Sequence, residues 1–538
     1  MLVGHSSPQH IQCQMRVGWL RSLAPRREIE YNARGQGRES LHIVIITTTR
    51  EPYSHRQPGQ RVGNLRIEAE VKTVTSWSPG IRPPWSPSDL EQILDDALRV
   101  LAEIGIECTH KEVRTRLADW GGATFAGDRV RFAKTQVRDH LDRKRASYRE
   151  SPGLNDRTFS LGGCWAGLNY CDPETLDVRP ASSQEAAGMV RLWDARGLSG
   201  VVPLIPGDVP PSLVTLEAER IALTNSRSLG GSLTVIDPEE IRFLIDMNLA
   251  AGRRYTLLEQ VGISPLRLDA KGLETALCFL DCPDVDVHVA GFIPMAGVTC
   301  PLDPRSAVVQ ATTETLALDV VCFVLGVAGD GLGIRVEPFD FQYSSIVFGS
   351  AEWCLYAVLA LQMTEYLTGR PVRHGRFRTV AKRPDAQAAC ERTASALWQA
   401  LLGVRHFGAV GQLSVDEVFS PQQAVLDREI LGYVERVITG LDLDRQVDAL
   451  ELISEGIREG HFVGIADTVS RYRRFYRFPD IFRHWSVQRW RAEGEPSILD
   501  QAWARAKAEI AKSTFKLRDD QEKELDTIHS RARNYIRA

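Results

Sequence analysis

The sequence predicts an α/β fold organised as a closed (β/α)8 barrel, and three observations predict it. From Leu198 to about residue 440, short apolar runs alternate with segments whose apolar residues recur at helical spacing. About eight such units occupy roughly 240 residues, the count and size of a (β/α)8 barrel. Small and polar residues collect just after the apolar runs, as at Met295, Gly297 and Thr299 and at Gly329, Asp330 and Gly331. In repeated strand–helix units, chemistry sits at the carboxyl ends of strands. An open doubly wound sheet fits less well. No Gly-x-Gly-x-x-Gly opens a first strand–helix turn, and Gly329-Asp330-Gly331-Leu332-Gly333 leads into a strand instead.

Taken in order, residues 1–85 read as a flexible extension. Up to Gly80 they hold 11 Lys/Arg against 6 Asp/Glu, and only Leu41–Ile46 resembles a strand. Residues 86–197 read as an N-terminal α+β cap. Ser86 or Ser88 caps a helix over Asp89–Ile104, followed by a helix over Lys111–Trp120, a strand over Asp128–Phe132 and a helix from Lys134. Leu168–Arg179 suggests an edge hairpin and Ser183–Leu192 a helix. In the barrel, 198–440, strands are expected at Gly200–Pro206, Leu229–Ile236, Leu257–Ser264, Asp286–Ala296, Val320–Val327, Gly333–Val336, His374–Thr379 and Phe407–Leu413. The helices between include Pro238–Ala250, with proline in its first turn, and Ser306–Leu318. Residues 441–538 read as a helical C-terminal region.

Composition narrows the function classes. The chain has 538 residues, 43% hydrophobic and 25% charged, with a formal charge of −4, so no global field recruits nucleic acid. The aromatic–basic run Tyr472–Pro479 reads as an arm packed on its own domain. Ten scattered cysteines lack the spacing of a disulfide framework, which favours a reducing cytoplasm. No unbroken apolar run approaches the ~18 residues of a membrane span. Cys278-x-x-x-Cys282 has no second ligand pair, and neither Gly-x-Ser-x-Gly nor His-Glu-x-x-His occurs. No tightly bound metal is expected.

Several short stretches in collinear order carry a resemblance. They are Leu94–Gly105, Gly122-Ala123 with Gly127–Arg131, Pro294–Thr299, Asp385–Ala388, Leu426–Ile430, Gly460–Gly464 and Phe482–Val487 with Trp490. Over about 86–538 the chain resembles the trimethylamine methyltransferase family of corrinoid-dependent methyltransferases. The resemblance implies a (β/α)8 barrel that moves a methyl group from a small quaternary or tertiary amine to the cobalt of a cobalamin held by a separate corrinoid protein. Some members carry pyrrolysine; this chain has standard residues throughout and is more similar to the pyrrolysine-free branch, whose characterised substrates are quaternary amines such as glycine betaine. Departures are Ala389 after Asp385-Ala386-Gln387-Ala388, where the family has glycine, and Gly464–Asp467, where further histidines are usual. They motivate a second hypothesis, a paralogue that binds without transferring methyl. A third, a barrel lyase, requires a buried lysine near a strand end, for which Lys382 is the candidate. The cofactor is expected to come with the partner, since no Asp-x-His-x-x-Gly occurs; homo-oligomerisation is also possible.

The chemistry implied selects residues. A quaternary ammonium donates no hydrogen bond and is held by aromatic faces with carboxylates nearby. Glu337, Phe339, Phe341 and Tyr343 alternate, so an extended segment puts them on one face, with Asp340 and Gln342 on the other. Gln260 ends the third strand, Met295 and Thr299 follow the fourth, and Gln412 ends the eighth. Arg378 or Lys382 is placed to meet a substrate carboxylate. His374 at a strand's amino end and His461 outside the barrel read as structural.

Overall fold

The computed structural model describes strands at Arg27–Gln36, Ser40–Thr49 and Leu65–Lys72, and the chain from Gly80 onward except 151–157, 164, 231–234, 236, 442–447 and 538. It divides into two units, Met1–Ser78 with Leu441–Phe462 and Pro79–Gly440 with Val463–Ala538. In the first, the three strands form one antiparallel sheet in sequence order; Leu41–Ile46 lies in its middle strand. The helix Ala449–Glu459 of this unit starts on Asp448, whose carboxylate accepts the Leu450 and Glu451 N–H groups, and ends at Gly460.

The second unit is mixed α/β. Its opening helix, Pro87–Glu103, is capped by Ser86, which accepts from the Asp89 N–H while the Asp89 carboxylate accepts from the Ser86 N–H. Leu90, Ile93, Leu94, Ala97, Leu98 and Leu101 form its buried stripe. Helices Lys111–Asp119 and Lys134–Glu150 follow around a five-stranded sheet that includes the hairpin Ala123–Ala126 with Arg129–Phe132.

From Ser160 on, the parallel strands are short. Ser160–Leu161, His406–Gly408 and His374–Arg376 make one ladder; Gly200–Val201 pairs with Leu229–Gly230; Tyr255–Gln260, Val285–Ala290 and Ala328–Gly329 make a third. These ladders do not close into a continuous ring among the described residues. Helices between and after these strands include Val214–Asn225, Pro238–Ala250, Ala351–Thr368, Ala386–Leu401 and Pro421–Thr439.

One expected strand is helical. Val320–Val327 belongs almost wholly to the helix Pro304–Leu325, which starts on Asp303 and stops at Gly326 in the left-handed region. This helix packs against Pro87–Glu103, Lys111–Asp119 and Ala351–Thr368. Burial on every side removes the amphipathic period, so its apolar end looks like a buried strand. By length and mean hydropathy it could cross a membrane, yet 78% of the qualifying window is buried inside the fold. Its buried Asp319 meets His140 at 2.7 Å and Lys144 at 2.9 Å. The C-terminal helices are Ala466–Phe475, Val487–Ala492, Ile498–Ile510 and Asp519–Arg537. The aromatic–basic run splits there, its first half ending a helix and Tyr476 and Phe478 remaining exposed.

Candidate active site

Segments from all three parallel ladders line one cleft of about 330 Å³. Gly163 and Trp165, just beyond the first strand, form one side with Gly200 and Val201. Leu258, Arg376, Arg378, Ala409 and Gln412 complete it. The wall is thin where glycines stand. A Cβ on Gly163 would lie 2.6 Å from the Ser199 carbonyl oxygen, so a side chain there would force the strands apart. Ala409 holds a φ of 72°, the left-handed region that non-glycine residues avoid, and its N–H donates to the Gly163 carbonyl at 2.8 Å. Backbone held in that region marks a site whose surroundings over-determine it.

The cleft is lined by cations. Arg376 donates through Nη1 to Glu337 Oε1 at 3.0 Å, and Glu337 Oε2 accepts from Trp353 Nε1 at 2.7 Å. Glu337 is only 3% exposed, whereas the Arg376 side chain is 27% exposed. From the other side the Gln399 amide brackets the Arg376 backbone, accepting its N–H at 3.0 Å and donating to its carbonyl at 2.6 Å. Neighbouring Gly375 leaves room for that amide; a Cβ there would sit 2.4 Å from Gln399 Oε1. Burial, then the like charges of Arg335 and Arg378, holds the Arg376 pKa below the ordinary guanidinium value. Arg378 is buried, 3.5 Å from Asp416, with its guanidinium 4.4 Å from the Phe348 ring centroid. Gln412, fully buried, donates through Nε2 to the Trp165 carbonyl at 2.8 Å, while its Oε1 has no hydrogen-bond partner among the described residues.

The structure thus brings Arg378 and Gln412 together, and joins Glu337 to them through Arg376. The other expected residues lie elsewhere. Gln260 is exposed and donates to the Gly291 carbonyl at 2.6 Å. Met295 pairs through its backbone with Glu337. Phe339 and Phe341 do not share an open extended face with Glu337. Phe339–Asp340 pairs with Ser345–Ile346 in a hairpin, the two rings meet edge to face at 5.4 Å, and Tyr343 is 74% exposed near its tip. Asp340 accepts the Gln342 and Tyr343 N–H groups, which curls the segment. Trp165 and Trp353 were not singled out from sequence, and Arg376 was read only as part of the strand expected at His374–Thr379. The alternation of Arg376 and Arg378 on one strand was the available signal; nothing local marks the two tryptophans.

A second cavity, of about 320 Å³, lies against the same arginine and is bounded by Glu337, Trp353, His374 and Gln399. The His374 ring lies 5.2 Å from that of His406, tilted by 35°, and His406 Nδ1 meets Ser160 Oγ at 2.5 Å. Lys382 is exposed, its ammonium on the Val380 carbonyl, which removes the buried lysine a Schiff-base lyase needs. Among the described residues, no three His, Cys, Asp or Glu side chains gather where they could hold a metal ion.

Comparison with known proteins sets this geometry in a family. The family model described as trimethylamine methyltransferase matches residues 54–535. The glycine betaine methyltransferase of Desulfitobacterium hafniense (strain Y51) is 22% identical over 75% of this chain and 87% of its own length. The trimethylamine methyltransferase of Methanosarcina barkeri is 26% identical over 32% of this chain, and the match spans about a third (35%) of that relative. A trimethylamine methyltransferase of Desulfitobacterium hafniense (strain DSM 10664 / DCB-2) is 21% identical over 63% of this chain and 70% of its length. The chain belongs to the trimethylamine methyltransferase family.

Proposed function

We propose that this chain is a methyltransferase that takes a methyl group from a small methylated amine bearing a carboxylate, of the glycine betaine kind, for the cobalt of a corrinoid protein. The observation that carries this is the pairing, in one cleft, of guanidiniums with an aromatic ring. Arg376 and Arg378 suit a carboxylate, and Trp165, lining the same cleft, supplies an aromatic ring for a quaternary ammonium. Gln412 Oε1 adds a partial negative charge that complements the same cation. The tertiary amine left behind is an adequate leaving group, so the chain needs no general acid. Its task is to orient the N–CH3 axis and exclude water.

The corrinoid, when docked, supplies the methyl acceptor. At about 330 Å³ the cleft is at the small end of ligand sites, roughly 300–1,000 Å³, with room for a methylated amine and none for a corrin ring. That supports a cofactor presented from outside by its own protein. Loops following the parallel strands expose Trp165, Leu168, Ile293, Val298, Phe341 and Tyr343, apolar surface suited to such a partner.

The same reading includes a (β/α)8 barrel. The three parallel ladders hold eight strands in all, and the close approach of Gly163 to Ser199 supports joining the first ladder to the second. In this arrangement the ring begins at Ser160–Leu161, upstream of the boundary expected near 198, after a cap and before the helical C-terminal region.

The test is incubation with Co(I) cobalamin and a panel of glycine betaine, carnitine, proline betaine, choline and trimethylamine, following methylcobalamin absorbance. Methylation from a carboxylate-bearing donor is expected. Silence across the panel, repeated with a corrinoid protein, would leave the binding-only paralogue as the better reading.

A further inference from the structure

We infer that Glu337 and Trp353 are positioning residues that set the selectivity of the cleft for carboxylate-bearing over alcohol-bearing ligands, by fixing the Arg376 guanidinium. The inference rests on the reading of the cleft as a methylated-amine site. Glu337 is 3% exposed and both its oxygens are engaged, one by Arg376 at 3.0 Å and one by Trp353 at 2.7 Å. It does not reach a ligand itself. Arg376 lines the cleft, and among the described residues its Nε and Nη2 make no protein hydrogen bond. A guanidinium offers two edges in fixed planar geometry. Glu337 engages Nη1 alone, and Nε with Nη2 is the pair of donors that matches a carboxylate bidentately.

The placement is built from two directions. Gln399 clamps the arginine's backbone from one helix, and Trp353 on another helix holds the carboxylate that holds the guanidinium. An arginine on so flexible a stem would otherwise spend rotamer freedom to meet each ligand. A fixed one recognises a carboxylate at lower cost, and a ligand lacking the carboxylate gains nothing from it.

Two variants separate position from charge. Glu337→Asp keeps the anion but draws it back by one methylene; Trp353→Phe keeps the charge and ring but removes the N–H. Binding of glycine betaine and of choline to the full chain is measured by calorimetry. Glu337→Asp should weaken betaine about tenfold, and Trp353→Phe about threefold, while choline changes less than about twofold. Thermal unfolding checks that each variant is folded; Trp353→Phe carries the test if Glu337→Asp is not. An unchanged betaine-to-choline ratio in folded variants, or equal weakening of both ligands, overturns the inference and leaves the site reading intact. Wild-type protein that binds no betaine overturns the site reading and this inference with it.

Discussion

Two arginine–carboxylate pairs flank the same strand ends and differ in what they leave open. Arg392 and Asp427, on two neighbouring helices, are both fully buried and 2.9 Å apart. Arg392 also donates to the carbonyls of Phe377, Ala409 and Gln412, and Asp427 accepts the Gly411 N–H and the Gln423 amide, each at 2.7 Å. Burial pushes the Asp427 pKa up while Arg392 opposes it. Arg376 and Glu337 are as close, at 3.0 Å, but Arg376 lines the cleft and its side chain is 27% exposed. A pair shut away from solvent fixes structure; a pair that borders a cavity is available to a ligand.

The largest effect that could break this comparison is on stability. Asp427→Ala strands a buried guanidinium and should cost about 3–5 kcal/mol in chemical denaturation. A loss under about 1 kcal/mol would mean the buried pair is no more structural than the open one.

A buried acid with no cation beside it among the described residues sharpens the contrast. Glu314 accepts the Leu266 N–H, the Ser264 hydroxyl and the Gln310 amide, and burial raises its pKa from 4.5 to about 7. Its folded pKa lies above the unfolded value, so between those values the folded state holds a proton the unfolded state has lost. Its contribution is full below pH 4.5, falls as pH rises towards 7 and is level above that. Wild type should therefore lose on the order of 2–3 kcal/mol relative to Glu314→Gln between pH 4.5 and 8. Parallel stability profiles for the two proteins would remove Glu314 as the cause.

Arg376→Lys keeps the charge but loses the fork. It should weaken a carboxylate ligand by about 1.5–3 kcal/mol in calorimetry, with little change in melting temperature. Stability loss as large as that of Asp427→Ala would erase the distinction. Trp165→Ala should weaken a quaternary ammonium ligand by about 0.5–2 kcal/mol and barely move stability, since the ring is 44% exposed. Smallest of all, Tyr343→Ala should change stability by under about 0.5 kcal/mol. It should slow methyl transfer to a corrinoid protein while leaving transfer to free cobalamin unchanged.

Much of the helical framework was legible in the chain. Pro238–Ala250 runs between its expected ends because Asp237 caps it and proline opens it. Helix Ala351–Thr368 carries the same kind of local signal, starting on Ser350 and stopping at Gly369. Strands were less legible: Val320–Val327 proved helical, and Ser160–Leu161 joined the His374 ladder from a stretch expected to lie in the cap. Of the cleft's lining, Arg378 and Gln412 were readable as residues near the ends of predicted strands. The hairpin aromatics were not, because Asp340 turns the segment before they can share a face with Glu337.

The sequence by itself determined where capped helices such as Pro238–Ala250 begin and end and, through collinear motifs, the family. Those are local signals, carried by caps, proline, glycine and period. Only the tertiary structure decided that Trp165, Arg376 and Gln412 line one cleft, and that Glu337 serves Arg376 from behind it. These residues are separated by tens to hundreds of positions, and their pairing arises from which strands lie side by side, which no local pattern encodes.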